Sequence, residues 1–286
     1  MANIPSKISA RISDGLKRFQ TIVESAKTRD VNESDTVVIL TGILSELFGF
    51  DKYTDITTEL SIRGTYCDLA LKIENKISVL LEAKAIGTEL KENHVKQAVD
   101  YASNKGIEWV ILSNAATWKV FKVIFSKPIQ SILVLEIDFL KLNHRHQDDL
   151  ETLFLLTKEA LTKSSLEDYF TQKQATNRFM IGHLLCTEGV LSSIRKELRQ
   201  IYPEIKVSTE EIETVLINEI IKRELLTGEE SEEAKKKIAR VHRKKERQKS
   251  ERNAVSEPAS IVEVTETVST EGNAVSQPVN DEVSSN

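Results

Sequence analysis

The residues best suited to chemistry lie in one stretch, Thr65 to Ala85, TYCDLALKIENKISVLLEAKA. Two apolar-rich runs flank Glu74-Asn75-Lys76. With that trio as a hairpin loop, Ile73 pairs with Ile77 and Asp68 falls directly opposite Glu82. Opposed side chains of an antiparallel pair have Cβ atoms about 4.5–5.5 Å apart, and the two-residue period puts Glu82 and Lys84 on one face. Facing carboxylates destabilise a sheet, and burial raises the cost. A divalent cation removes the conflict, because hard cations such as Mg²⁺ (or Mn²⁺) take carboxylate oxygens. Lys84 beside it could orient or help deprotonate a water, or stabilise charge developing on a phosphate. The chemistry that fits is phosphodiester hydrolysis. The competing reading is a surface salt bridge between Lys84 and either acid, and Glu-Ala-Lys alone is a common tripeptide.

The elements that must position these groups follow from periodicity. Ser6–Lys27 places Ile8, Ile12, Leu16, Phe19, Ile22 and Val23 at helical spacing. A second helix is predicted from an Asn32 cap to Phe48, with Gly49 ending it. Strands are predicted near 56–62, 66–73 and 77–84, a helix over Thr88–Ser103, and further strands at Trp109–Leu112, Lys119–Ile124 and Ile132–Ile137. Helix, three strands, helix and more strands make a mixed α/β layer architecture.

Beyond the hairpin, the sequence offers Asn32-Glu-Ser-Asp-Thr36, Leu44-Ser-Glu-Leu-Phe-Gly49, Leu81-Glu-Ala-Lys84, Gln97-Ala-Val-Asp-Tyr101, Trp109-Val-Ile-Leu-Ser-Asn114 and Trp118-Lys-Val-Phe121. This pattern, over about a third of the chain, resembles the PD-(D/E)XK nucleases. Within them it is most similar to the N-terminal nuclease domain of type I restriction enzyme R subunits and to predicted type IV restriction endonucleases. The resemblance implies a restriction-endonuclease-like mixed sheet flanked by helices. It implies metal binding by Asp68 and Glu82, completed by Glu33, with Lys84 assisting the attacking water. Gln97 would orient Lys84 or contact the DNA backbone, and Tyr101, one helical turn on, would face the active site or the DNA. The bland alternative for Glu33 is an acid in the first helical turn favouring the dipole. Glu59 stands where relatives carry an acid. The Pro of the family name is absent, since Cys67 precedes Asp68. No Gly-x-x-x-x-Gly-Lys-Ser/Thr occurs, so no ATP site is expected and a complete R subunit is excluded.

Three regions are expected: the nuclease-like domain with its N-terminal helix (1–146), a small all-α domain (147–227) built on stripes such as Leu150, Leu153, Leu156 and Leu161, and a charged, disordered tail (228–286). In that tail Lys235–Lys249 is a basic run, KKKIARVHRKKERQK, readable as a nucleic-acid grip or as a solvated extension of the last helix. The chain of 286 residues carries a net charge of −5, so any DNA groove must be a local basic patch. Cys67 and Cys186 lack zinc-ligand spacing, and His144 and His146 sit in a polar connector. With no apolar run of about 18 residues and no signal-peptide core, a cytoplasmic location is expected. DNA is the expected partner, with a homo-oligomer or a restriction or defence partner also possible. The rival to a Mg²⁺-dependent DNA endonuclease is a module on the same fold that binds DNA or a partner without cutting. A third reading makes the α/β domain a scaffold and the helices and tail the recruiting parts.

Overall fold

The computed structural model describes residues 4–62 and 65–255, with side chains outside 59–66, 92 and 249–255. It divides into two units, Met1–Ile181 and Gly182–Asn286. The first is a mixed α/β layer structure. Its six strands are β1 (Ile56–Ile62), β2 (Thr65–Ile73), β3 (Lys76–Ala83), β4 (Trp109–Ser113), β5 (Thr117–Ile124) and β6 (Gln130–Asp138). They lie side by side in sequence order. Neighbours are antiparallel except β3 and β4, which run parallel. A parallel pair needs a crossover, and α3 (Glu92–Lys105) supplies it. Thr88–Lys91, expected to be helical, precede that helix.

Alternation along the strands splits the core in two. Leu69, Leu71, Val79, Leu81, Ile111 and Val120 pack beneath α1 (Ser6–Arg29) and α2 (Glu33–Gly42, extended by a π turn over Ile43–Leu47). Ala70, Leu80, Val110 and Leu112 face Val95, Ala98, Val99 and Ala102 of α3. The cap at Asn32 forms as the sequence indicates, its side chain accepting from the Asp35 amide at 2.9 Å. Gly49 ends the second helix with φ +81°, and a Cβ there would sit 2.7 Å from Arg11 Nη1. That guanidinium donates to both carboxylate oxygens of Glu159 at 2.7 Å and to Leu47 O at 3.1 Å.

Two regional boundaries differ from expectation. Leu150, Leu153, Phe154, Leu156, Ala160 and Leu166 belong to the core beneath the sheet, so α4 (Gln147–Phe154), α5 (Lys158–Thr162) and α6 (Ser165–Ala175) complete the first unit. The division falls at 181/182, within α7 (Arg178–Leu185), rather than at 146/147. A leucine stripe marks a helix face that must be covered but does not name its cover. Where β6 bulges at Val134, which has no partner on β5, Lys173 of α6 donates to Val134 O at 2.6 Å.

The second unit contains α8 (Glu188–Ile201), α9 (Thr209–Val215) and α10 (Glu229–Val255), around a core of Leu191, Ile212, Leu216 and Ile221. The capping box at Ser208 and Glu211 forms in both directions. Residues 229–255, expected within a disordered tail, are helical; residues 256–286 lie outside the described residues, as does the Glu59 side chain.

The hairpin loop is two residues, not three. Glu74 and Asn75 both adopt left-handed φ values of 50° and 63°, so Ile73 pairs with Lys76 and Lys72 with Ile77. One bulge, with Ser78 unpaired, then restores the expected register at Leu71 and Val79. Left-handed backbone costs an ordinary residue about 1–2 kcal/mol, and Asn-Gly suits such a turn best. Replacing Glu74→Asn and Asn75→Gly together should raise unfolding free energy by about 1 kcal/mol in urea denaturation. A loss of stability would contradict this turn geometry.

Candidate active site

The pairing of Leu69 with Leu81, continued by one residue, sets Asp68 opposite Glu82. Glu82 alternates with Leu80 on the sheet face towards α3. The β2–β3 backbone ladder stops here, and Asp68 Oδ2 accepts from the Ala83 amide at 2.7 Å instead. A side chain thus satisfies a strand donor that the departing backbone leaves behind. Lys84 follows immediately after β3. Its ammonium donates to Glu82 Oε1 at 2.8 Å, to Ala83 O at 2.7 Å and to Glu33 Oε2 at 3.4 Å. Glu33 reaches the cluster from the first turn of α2, where an acid also favours the helix dipole.

Four of the candidate residues therefore gather where β2 and β3 end their pairing: Glu33, Asp68, Glu82 and Lys84. Glu82 is buried to 4% exposure. Burial raises its pKa above the ordinary 4.5, with Asp68 and Glu33 adding to the shift and the bond from Lys84 only partly opposing it. For Lys84, burial acts to lower the pKa, but the bond to Glu82 and the charges of Glu82, Glu33 and Asp68 outweigh it and raise it above 10.5. These two directions agree physically. Three acids surround one cation, so the amine holds its proton firmly while the most buried acid bears the surplus negative charge.

That surplus is the property a divalent cation would meet. Among the described residues no three His, Cys, Asp or Glu side chains gather closely enough to enclose an ion by themselves. Mg²⁺ does not require this, since it commonly takes one or two carboxylates and leaves its remaining positions to water and phosphate oxygens. The oxygen donors of Asp68 and Glu82 fit that habit, with Glu33 outside them on the more exposed side.

Gln97 and Tyr101 part company. Gln97 is exposed on α3, and among the described residues no hydrogen bond joins it to Lys84. Tyr101 is buried to 4%, its hydroxyl pKa pushed up to about 12, mainly by burial. Its ring lies in the α3-side core and cannot stack on a nucleic acid. Positional spacing put the two on one helix face; the edge of that face lies between them. Cys67, which lacks zinc-ligand spacing in the sequence, is a free, buried cysteine beside the site. Its thiol donates to Leu69 O and Leu81 O at 3.3 and 3.4 Å, and burial followed by the Glu82 charge pushes its pKa up to about 12. It is a sealed, unreactive wall of the site.

Other candidates lie apart from this site. His146 is the N-cap residue of α4, with Nδ1 3.7 Å from Asp149. A cavity of about 230 Å³ is lined by Ile73, Val79, Glu108, Trp109, Leu166 and Glu167. Beside it the buried ammonium of Lys122 meets Glu108 and Glu167 and lies 4.7 Å from the Trp109 ring centroid. That cluster sets one cation between two half-exposed acids, apart from Asp68 and Glu82. The Asp68–Glu82–Lys84 group does not line this cavity.

Two outcomes follow. Folding binds the Glu82 proton more tightly than the unfolded chain does, so its ionisation costs stability, accumulating as pH rises from 4.5 to the raised folded value. In metal-free denaturation series, Glu82→Gln should therefore gain stability relative to wild type as pH rises through that window; parallel profiles would refute the assignment. Mg²⁺ should raise the melting temperature of the wild type, by about 1.4 kcal/mol of stabilisation at a free concentration tenfold above its Kd. The rise should vanish in Asp68→Asn and Glu82→Gln, and its survival in both would place the ion elsewhere.

Comparison with protein-family models, curated proteins and solved structures yields no significant match.

Proposed function

We propose that the chain is a metal-dependent DNA endonuclease of the restriction-endonuclease-like PD-(D/E)XK type, without an ATPase motor. The observation that supports this most is the convergence of Glu33, Asp68 and Glu82 around the one ammonium of Lys84. Asp68 and Glu82 would hold Mg²⁺ or Mn²⁺, with Glu33 at the rim. Such an ion supplies polarisation of a phosphate oxygen and a more acidic bound water. Lys84 stays an ammonium at neutral pH. Its role is therefore to orient the attacking water, or to meet charge developing on the phosphate, rather than to remove a proton as a base. Asp68 also pins the end of β3 through the Ala83 amide, which fixes the backbone between Glu82 and Lys84. Gln97, exposed on α3, would contact the DNA backbone rather than orient Lys84. Restriction of foreign DNA in the cytoplasm, alone or with partner proteins, fits this reading.

One observation favours the second reading, a module on this fold that binds without cutting. Lys84 already satisfies Glu82 and Ala83 O, so the site is internally bonded as it stands. Plasmid and single-stranded DNA incubated with Mg²⁺ or Mn²⁺, and separately with chelator, distinguish the two. Metal-dependent cleavage should fall by about 10²–10⁴-fold in Asp68→Ala and Lys84→Ala. Cleavage unchanged in both variants would remove the active-site assignment, and binding without cleavage under every condition would establish the module.

A further inference from the structure

The longest helix of the second unit has no place in the chemistry above. Helix α10 is held at its start, where Ser231 is fully buried, its hydroxyl bonded to His183 Nε2 at 2.8 Å and to Leu225 O at 3.2 Å. Among the described residues Ala234 is the last buried one. From Ala239 to Gln248 every residue is exposed. Within Lys235–Lys249, nine of fifteen residues are Lys or Arg and one is Glu. The basic residues are not spread evenly. At 3.6 residues per turn, Lys236, Lys237, Arg240, Arg243, Lys244 and Arg247 fall within an arc of about 120°, over a length of about 17 Å.

Such a helix works against itself. Like charges four apart destabilise a helix, and Lys236, Arg240 and Lys244 form a continuous series at that spacing, as do Arg243 and Arg247. Among the described residues Lys236, Lys237, Arg240, Arg243 and Lys244 form no ion pair. Four of the six acids of the helix, Glu229, Glu230, Glu232 and Glu233, stand in its first turns, beside the anchored end. A dense polyanion would relieve the repulsion along the rest. Duplex DNA carries one negative charge per about 1.7 Å of axis. Its major groove, about 12 Å wide, admits a helix about 10–12 Å across, whereas the major groove of an RNA duplex is too narrow. A membrane surface fits less well, because membrane-lying helices need an apolar face. The large apolar side chains of Lys235–Gln248 are Ile238 and Val241 alone.

We propose that α10 is a duplex-DNA grip, seating the Lys236–Arg247 stripe against phosphates in the major groove and binding without regard to sequence. This goes beyond the reading of the Asp68–Glu82–Lys84 site and does not depend on cleavage.

The test is binding of the full chain to a fluorescent duplex of about 20 base pairs in chelator, across salt from about 0.05 to 0.3 M. Lys236→Gln, Lys237→Gln, Arg240→Gln, Arg243→Gln, Lys244→Gln and Arg247→Gln together should make the slope of log affinity against log salt shallower by about 4–5. At about 0.1 M salt the affinity should fall by at least about 30-fold. Gln is a good helix former, so circular dichroism should report unchanged helicity. Lys235→Gln with Lys245→Gln, off the stripe, should change the slope by no more than about 2. The proposal is overturned if the sixfold variant binds within about twofold of wild type, if the off-stripe pair matches it, or if duplex RNA binds as tightly as DNA. It is also overturned if the sixfold variant loses only binding to phosphatidylserine vesicles. Because binding is read in chelator, where no metal-dependent cut occurs, a chain that never cuts DNA can still pass, and an active nuclease can still fail.

Discussion

The bond from the Ala83 amide to the Asp68 carboxylate, 2.7 Å long, is the contact on which the candidate site depends. It lies where two strands stop sharing their backbone ladder. An amide there would otherwise lose its partner in a half-buried place, at a cost of about 1–3 kcal/mol. By meeting it, Asp68 holds its carboxylate beside Glu82 despite the repulsion between them. The same bond fixes the peptide that separates Glu82 from Lys84. Structure and chemistry are therefore coupled at one residue: a substitution of Asp68 removes an acid and also loosens the strand end that aims the other two groups.

Charge imbalance is the second constraint. Three carboxylates, from α2, β2 and β3, converge on a single ammonium. One cation cannot settle three anions, and burial decides which of them bears the difference, hence the raised pKa of Glu82. The Lys122 cluster shows what a more settled arrangement looks like: a buried amine with two half-exposed acids and an aromatic face. Similar residue types serve packing in one place and keep an unmet demand for positive charge in the other.

Much of this was legible in the sequence, and for identifiable reasons. The opposition of Asp68 and Glu82 followed from alternation and an assumed turn, although the turn was one residue too long; the bulge at Ser78 compensated. Two-residue left-handed turns are signalled by Asn-Gly, and Glu74 gave no such hint. The Asn32 and Ser208 caps and the Gly49 stop were readable because each rests on a local backbone need. Tertiary partners were not readable. The leucines of 150–166 have the same spacing whether they cover a sheet or each other, and Tyr101 has the same offset from Gln97 whether the face between them is buried or open. The helicity of 229–255 was obscured because a highly charged composition suits a solvated helix and an unstructured segment alike.

The contact between Lys173 and Val134 O has a consequence for self-association. Strand β6 is an outer strand of the sheet, and outer strands invite pairing with another chain because their amides and carbonyls face outward. At the Val134 bulge the strand departs from regular spacing, and an ammonium from α6 already occupies the carbonyl. A foreign strand adding here would have to evict a charged group and straighten the irregularity. Any dimer of this protein would more easily form through a surface other than the β6 border.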